Sequence, residues 1–247
     1  MNTKLAFLLL PLIFWSCTNQ DKLVFEPLEF KEASCDNCPK VSIHIPKALE
    51  NQALATIINN TLQEEVISML SYDDAFEPST IEEAIRSFNN GFSDIKKLYA
   101  DEPVGWEAII DGAITFEDDN IITIQLNSYS FTGGAHGYTS TQFFNFDKKK
   151  NIEVNTLDFI EDLDQFRLYA ELKFREQEKI PSGKSINTTG FMFENNVFYL
   201  PENIGFTKEG LQLYYEQYEV ASYADGPILL NLPFQEIKPY LSLKIKS

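Results

Sequence analysis

The stretch SFTGGAHGYTS, Ser130 to Ser140, sets three glycines and one of the chain's two histidines between two strand-like segments. A histidine in a glycine-rich loop serves as a general base only beside a nucleophile, and as a metal ligand only among other ligands. The chain has no GxSxG elbow, no HExxH and no HxH pattern, and its other histidine, His44, is remote in sequence. A phosphate cradle needs a helix directly after the loop, usually with lysine or a GxGxxG spacing. Here a strand-like segment follows. The loop therefore reads as a hairpin connection with a hydrogen-bonded histidine; a partner contact and chemistry at His136 are the two competing readings.

Paired acids offer a second route to chemistry, because two facing carboxyl groups hydrolyse glycosidic bonds. The adjacent pairs are Asp73 with Asp74, Glu82 with Glu83 and Asp118 with Asp119. Neighbours on a strand or in a turn seldom face each other, so these read as solvated faces or caps. No catalytic residue, metal site or cofactor is expected, and the chain is expected not to be an enzyme. The aromatics say more. Tyr214, Tyr215, Tyr218 and Tyr223 crowd YYEQYEVASYADGP, and exposed tyrosines make good binding surfaces. Core packing is the competing explanation for them. The candidate binding residues are Phe131, His136, Tyr138, Tyr218 and Tyr223.

The three cysteines place the chain. Residues 1–16, with Lys4 and an apolar run ending before Ser16, read as a secretion signal too short to span a bilayer. Cys17, directly after a small residue, is the expected lipidation site of an exported lipoprotein held in the cell envelope, on the periplasmic or outer-membrane face. The competing reading is an ordinary secretory signal with an incidental cysteine. Residues 17–40 form a tether carrying Cys35 and Cys38, for which a disulfide is the expectation outside the cytoplasm; a thioredoxin-like site would want a helix after the pair, whereas Pro39 and VSIHIP follow. The formal charge of −17 argues against nucleic acid and favours cations or a basic partner, or simply solubility.

The apolar pattern supplies the elements that would position these residues. Val41 to Ile45 alternates as a half-buried strand that Pro46 should end, and helical spacing then runs over about 47–70. TIEE at Thr80 to Glu83 looks like a capping box opening a second helix. After Pro103 the period changes to 2, giving three antiparallel strands over 106–116, 121–131 and 138–146. A third helix is expected at about 163–178, with strand signals in FMF, NVFYL, GLQLYY and PILLNLPF. The class is α+β, an N-terminal helix-and-strand part over 41–147 packed on an antiparallel-sheet-rich C-terminal part over 148–247.

Two of these stretches also carry a resemblance. YSFTGGAHGYTSTQFFNFD, Tyr129 to Asp147, and LPENIGFTKEGLQLYYEQYEVASYADGPILLNLPF, Leu200 to Phe234, occur in the order seen in the RsiV-type extracellular domain family. That family includes the accessory domain of the peptidoglycan deacetylase PdaC. The resemblance covers about 40–245 and implies two intimately packed parts, the first like the PdaC accessory domain and the second like RsiV. It implies a binding function, with a lysozyme-type basic protein or peptidoglycan fragments as partner. A peptidoglycan- or polysaccharide-active enzyme, or an accessory module of one, is the alternative. Nothing in the chain resembles the paired aspartates and HxxxH-type histidines of the deacetylase active site.

Overall fold

A computed structural model describes residues 23–31, 38–49, 53–72, 76–99 and 105–245. The signal, Cys17 and Cys35 lie outside the described residues, so the lipid anchor and the Cys35–Cys38 pairing stand as sequence expectations. No described helix is long and apolar enough to cross a membrane.

The first part is a six-stranded sheet with two helices on one face. Its strands are β1 (Phe25–Lys31), β2 (Lys40–Ala48), β3 (Glu107–Glu117), β4 (Ile121–Phe131), β5 (Tyr138–Asp147) and β6 (Ile152–Val154), side by side in that order. All neighbours are antiparallel except β2 and β3, which run parallel because the helical pair α1 (Ala53–Leu70) and α2 (Ile81–Leu98) crosses between them. Leu54, Ile58, Leu62, Val66 and Leu70 recur every fourth residue on α1 and are buried against the sheet. The Thr80 hydroxyl accepts from Glu83 N at 3.2 Å, capping α2 as the sequence predicts. The Glu83 carboxylate reaches one residue further back than a capping box requires, to the Ser79 amide at 2.9 Å.

Two expectations are corrected here. Phe25 to Lys31, read as part of the tether, pairs along its whole length with β2. The signal was short, because only Leu28, Glu29, Phe30 and Lys31 alternate strictly. Nor does Pro46 end β2. Beyond His44 this strand has only β1 as a partner, and Pro46 lies opposite Pro27, so its missing N–H breaks no ladder of the central sheet.

The second part holds a separate core. It contains α3 (Leu163–Gln177), the sheet β7 (Ile204–Phe206), β8 (Gly210–Tyr215) and β9 (Ile228–Pro233), and the short α4 (Phe234–Ile237). FMF and NVFYL are not strands: the chain from Phe191 to Pro201 runs through a tight 3-10 turn at Glu194–Asn196, and Phe193 and Phe198 are buried by it. Aromatic rings at alternate positions mimic strand periodicity while filling a core from an irregular backbone.

The two parts are joined by side chains rather than by strand pairing. Outward-facing carbonyls of β7 accept from the large sheet and the segment after it: Phe206 O from the Thr115 hydroxyl at 2.8 Å, and Ile204 O from Asn145 Nδ2 at 2.9 Å and the Thr156 hydroxyl at 2.7 Å. Asn203 completes the seam. Its Oδ1 accepts from Phe143 N at 3.0 Å and its Nδ2 donates to Thr141 O. A buried strand edge left unpaired would cost free energy for each orphaned group, and four polar side chains remove that cost here.

Candidate functional site

The seam opens into a cleft of about 640 Å³ lined by α1, β5, β6 and the segment Tyr199 to Glu219. Five carboxyl groups line it: Glu65, Glu153, Glu202, Glu216 and Glu219. None of the five is ion-paired with a lysine, arginine or histidine among the described residues. Tyr199, Phe143 and Phe144 supply apolar surface between them.

A single tight turn delivers two of these acids. Glu219 N donates to Glu216 O at 3.0 Å, and Glu216 N donates to Glu219 Oε2 at 2.8 Å. Closing this turn puts Tyr218 at φ +68°, a left-handed conformation that costs a tyrosine about 1–3 kcal/mol. The result is two carboxyl groups facing the cleft and one ring, 59% exposed, outside it. Glu216 Oε1 accepts from the Ser140 hydroxyl at 2.8 Å and Thr141 N at 3.2 Å, while its Oε2 is fully buried without a hydrogen-bond partner.

Burial sets the protonation of these groups. Desolvation holds Glu65 and Glu216 above the usual carboxylate range despite the hydrogen bonds each receives. Glu219 is raised first by burial, and further by the negative charges of Glu216 and Glu202. Such groups donate a proton or a hydrogen bond more readily than an exposed glutamate does, and they accept cations.

A second, smaller cavity of about 310 Å³ adjoins the first, sharing Glu65 and Gln142 as walls. It lies between the end of α1 and strands β3, β4 and β5, and Tyr138 and Ser140 are part of its lining.

The five candidate binding residues separate into three places. His136 stacks on Tyr223 with ring centroids 4.0 Å apart, the Tyr223 hydroxyl donates to Gly137 O at 3.0 Å, and Tyr218 lies 5.5 Å from Tyr223. The loop thus docks onto the YADG turn, as a hairpin with an aromatic clasp. Tyr138 belongs to the small cavity instead. Phe131 ends β4 opposite Glu107, and no ring contact joins it to the other four among the described residues. Tyr214 and Tyr215 are core residues of β8, 6% and 0% exposed.

The adjacent acid pairs act as the sequence suggests where they are described. Asp118 Oδ1 accepts from Asn120 N and Ile121 N to shape the β3–β4 turn, and Glu83 caps α2; Asp73 and Asp74 lie outside the described residues. Sequence reasoning missed the cleft acids altogether. The one available signal was Glu216 and Glu219, three apart inside the tyrosine-rich segment.

Two family models match successive regions of the chain. Residues 32–139 match the family model described as Deacetylase PdaC, and residues 151–235 match that of a protein family of unknown function, DUF3298. The chain is 25% identical over 145 residues to the peptidoglycan-N-acetylmuramic acid deacetylase PdaC of Bacillus subtilis, covering 57% of this chain but only 30% of that protein. Crystal structures of DUF3298 family members from Bacteroides fragilis and Pseudomonas aeruginosa superpose with TM-scores of 0.69 and 0.64, at 16% and 19% identity. Each alignment covers 90% of this chain, and 94% and 95% of the respective structures. The expectation that the chain is not an enzyme is corrected by these matches, since one region carries the family description of a deacetylase and the curated relative is an enzyme. Glu65 of the first matched region and Tyr199 to Glu219 of the second face one cleft, so the region similar to the PdaC model and the region similar to the DUF3298 model close against each other in an α+β fold.

Proposed function

We propose that the chain is an exported, envelope-anchored module of cell-wall metabolism that binds peptidoglycan fragments in the seam cleft. The observation that carries this reading is the cleft itself: a wide space between the two matched regions, lined by carboxyl and amide groups with aromatic surface among them. A glycan offers hydroxyl donors to carboxylate acceptors and lays the C–H face of its rings on aromatic side chains, so this lining fits it. Keeping five uncompensated acids together opposes folding, which is the usual mark of a site kept for a ligand. The relative's substrate, peptidoglycan, supports the choice of glycan. Anchoring through Cys17 would hold the cleft close to the envelope.

One observation favours a second partner. Tyr218 is 59% exposed beside Glu216 and Glu219, on a chain of formal charge −17, and tyrosine next to uncompensated acid suits a basic protein such as a lysozyme-type muramidase. Calorimetric titration of the purified chain with soluble peptidoglycan fragments and with lysozyme, each at two salt concentrations, tests both. Saturable heat with fragments that is lost in Glu216→Ala establishes the first reading. Heat only with lysozyme, weakened by salt and by Tyr218→Ala, replaces it with the second, and no heat with either partner ends both.

A further inference from the structure

The small cavity has an unusual origin. The residues of β4 that face the helices are Ile122, Ile124 and Leu126, all fully buried, and the same face continues as Ser128 and Ser130. In the pairing register Ile110, Ser128 and Ser140 form one row across three strands, and Ala108, Ser130 and Tyr138 the next. At the end of α1 the roof is Glu65, Met69 and Leu70. An apolar sheet face thus turns small and hydroxyl-bearing just where a helix covers it. Valine or leucine at 128 and 130 would fill the space and stabilise the fold, since unfilled core volume is costly. Gln142, on the wall shared with the large cleft, has a fully buried Oε1 without a partner.

From this geometry we propose that the small cavity is a subsite for the acetamido group of an N-acetylated sugar whose neighbouring rings lie in the acidic cleft. The inference rests on the glycan reading above and adds to it a ligand group and a place. The lining divides by chemistry as an acetamido group does. Met69, Leu70 and Ile110 take the methyl, the Ser128, Ser130 and Tyr138 hydroxyls donate to the carbonyl oxygen, and Glu65 accepts from the N–H. About 310 Å³ is at the low end for small-molecule sites, enough for an acetamido group with its own sugar ring but not for a chain. The lining contains no lysine or arginine, and its single carboxyl, Glu65, is held above the usual range by burial, which suits an uncharged group.

The test compares the N-acetylglucosamine tetramer with the glucosamine tetramer, titrated into the full chain and into Ser130→Val. The acetylated tetramer should bind on the order of ten-fold tighter, and Ser130→Val should remove that difference while melting at or above the wild-type temperature. Should Ser130→Val fail to fold, Ser128→Ala with Ser130→Ala keeps the space, removes two donors, and is expected to narrow the preference. Equal binding of the two tetramers, unchanged by the variants, overturns the subsite and leaves a glycan in the acidic cleft. Tighter binding of the glucosamine tetramer also overturns it, because the acids then select an amine. Binding of neither tetramer, with peptidoglycan fragments still bound, overturns the subsite alone; failure of all glycans overturns the parent reading as well.

Discussion

The two cores solve the same problem with different residues. The core under α1 and α2 is mostly aliphatic, with Ile43, Ile58, Leu62, Val66, Ile110, Ile124 and Leu126 almost wholly buried between long regular elements. The core around α3 is richer in rings: Phe174 alone lies 5.0–6.0 Å from those of Phe191, Phe193, Phe198 and Tyr215. In the first core branched aliphatic side chains fill the space because long helices and strands repeat them at the right interval. Large rings that meet edge to face bury enough surface each to fill a core from short turns. The second part can therefore devote backbone to turns such as Glu216 to Glu219, where the cleft acids sit.

The sharpest way to break this contrast is to remove one ring. Phe174→Ala should lower stability by about 3–5 kcal/mol, more than a typical surface change several times over. Trp106 reports separately on the first core, where its ring packs against Phe88 and Phe92. If the seam makes one cooperative unit, urea unfolding followed by Trp106 fluorescence shifts with Phe174→Ala as far as circular dichroism does. A Trp106 transition left at the wild-type midpoint would mean two independently folding parts.

A smaller change should sharpen the same point at the seam. Asn203→Ala removes two hydrogen bonds to the backbone of β5 and leaves Phe143 N and Thr141 O without them, at a cost of about 1–3 kcal/mol. Because the lost bonds join the parts, the two probes should separate in this variant although neither core has been touched. Coincident transitions would show that apolar contact alone couples the cores.

What was legible in the sequence follows the same division. Period-2 alternation located β3, β4 and β5 within a residue or two, fourfold spacing located α2 and the body of α1, whose start it set too early because Lys47 and Ala48 belong to β2, and the Thr80 cap could be read directly. Alternation failed in FMF and NVFYL, because rings placed by turns and rings placed by a strand leave the same pattern. The cleft acids were illegible for a different reason. Glu65, Glu153 and the acids of the segment Tyr199 to Glu219 come from three distant parts of the chain, and no local period tells which parts will meet. His136 drew attention by being rare, yet its ring is occupied in stacking on Tyr223.

The smallest expected effect concerns charge at the seam. Glu65, Glu216 and Glu219 all have their carboxyl pKa raised in the folded chain, so the folded state holds more protons than the unfolded chain just above the ordinary carboxyl range. Stability from these groups therefore falls as pH rises through that window, and recovers on mild acidification. Groups held low, such as Asp147 beside Lys150, act in the opposite sense only at lower pH, once they too protonate. Glu219→Gln keeps an oxygen for Glu216 N and removes the repelling charge, so it should raise the melting temperature at pH 7, and the gain should shrink as pH falls. The gain is expected to be smaller than either loss above, because half-exposed carboxyls are screened by solvent. A variant no more stable than wild type at pH 7 would mean that the repulsion is already relieved, by a bound cation or by protonation of a neighbouring acid, and would move the uncompensated charge of the cleft to Glu202 and Glu153.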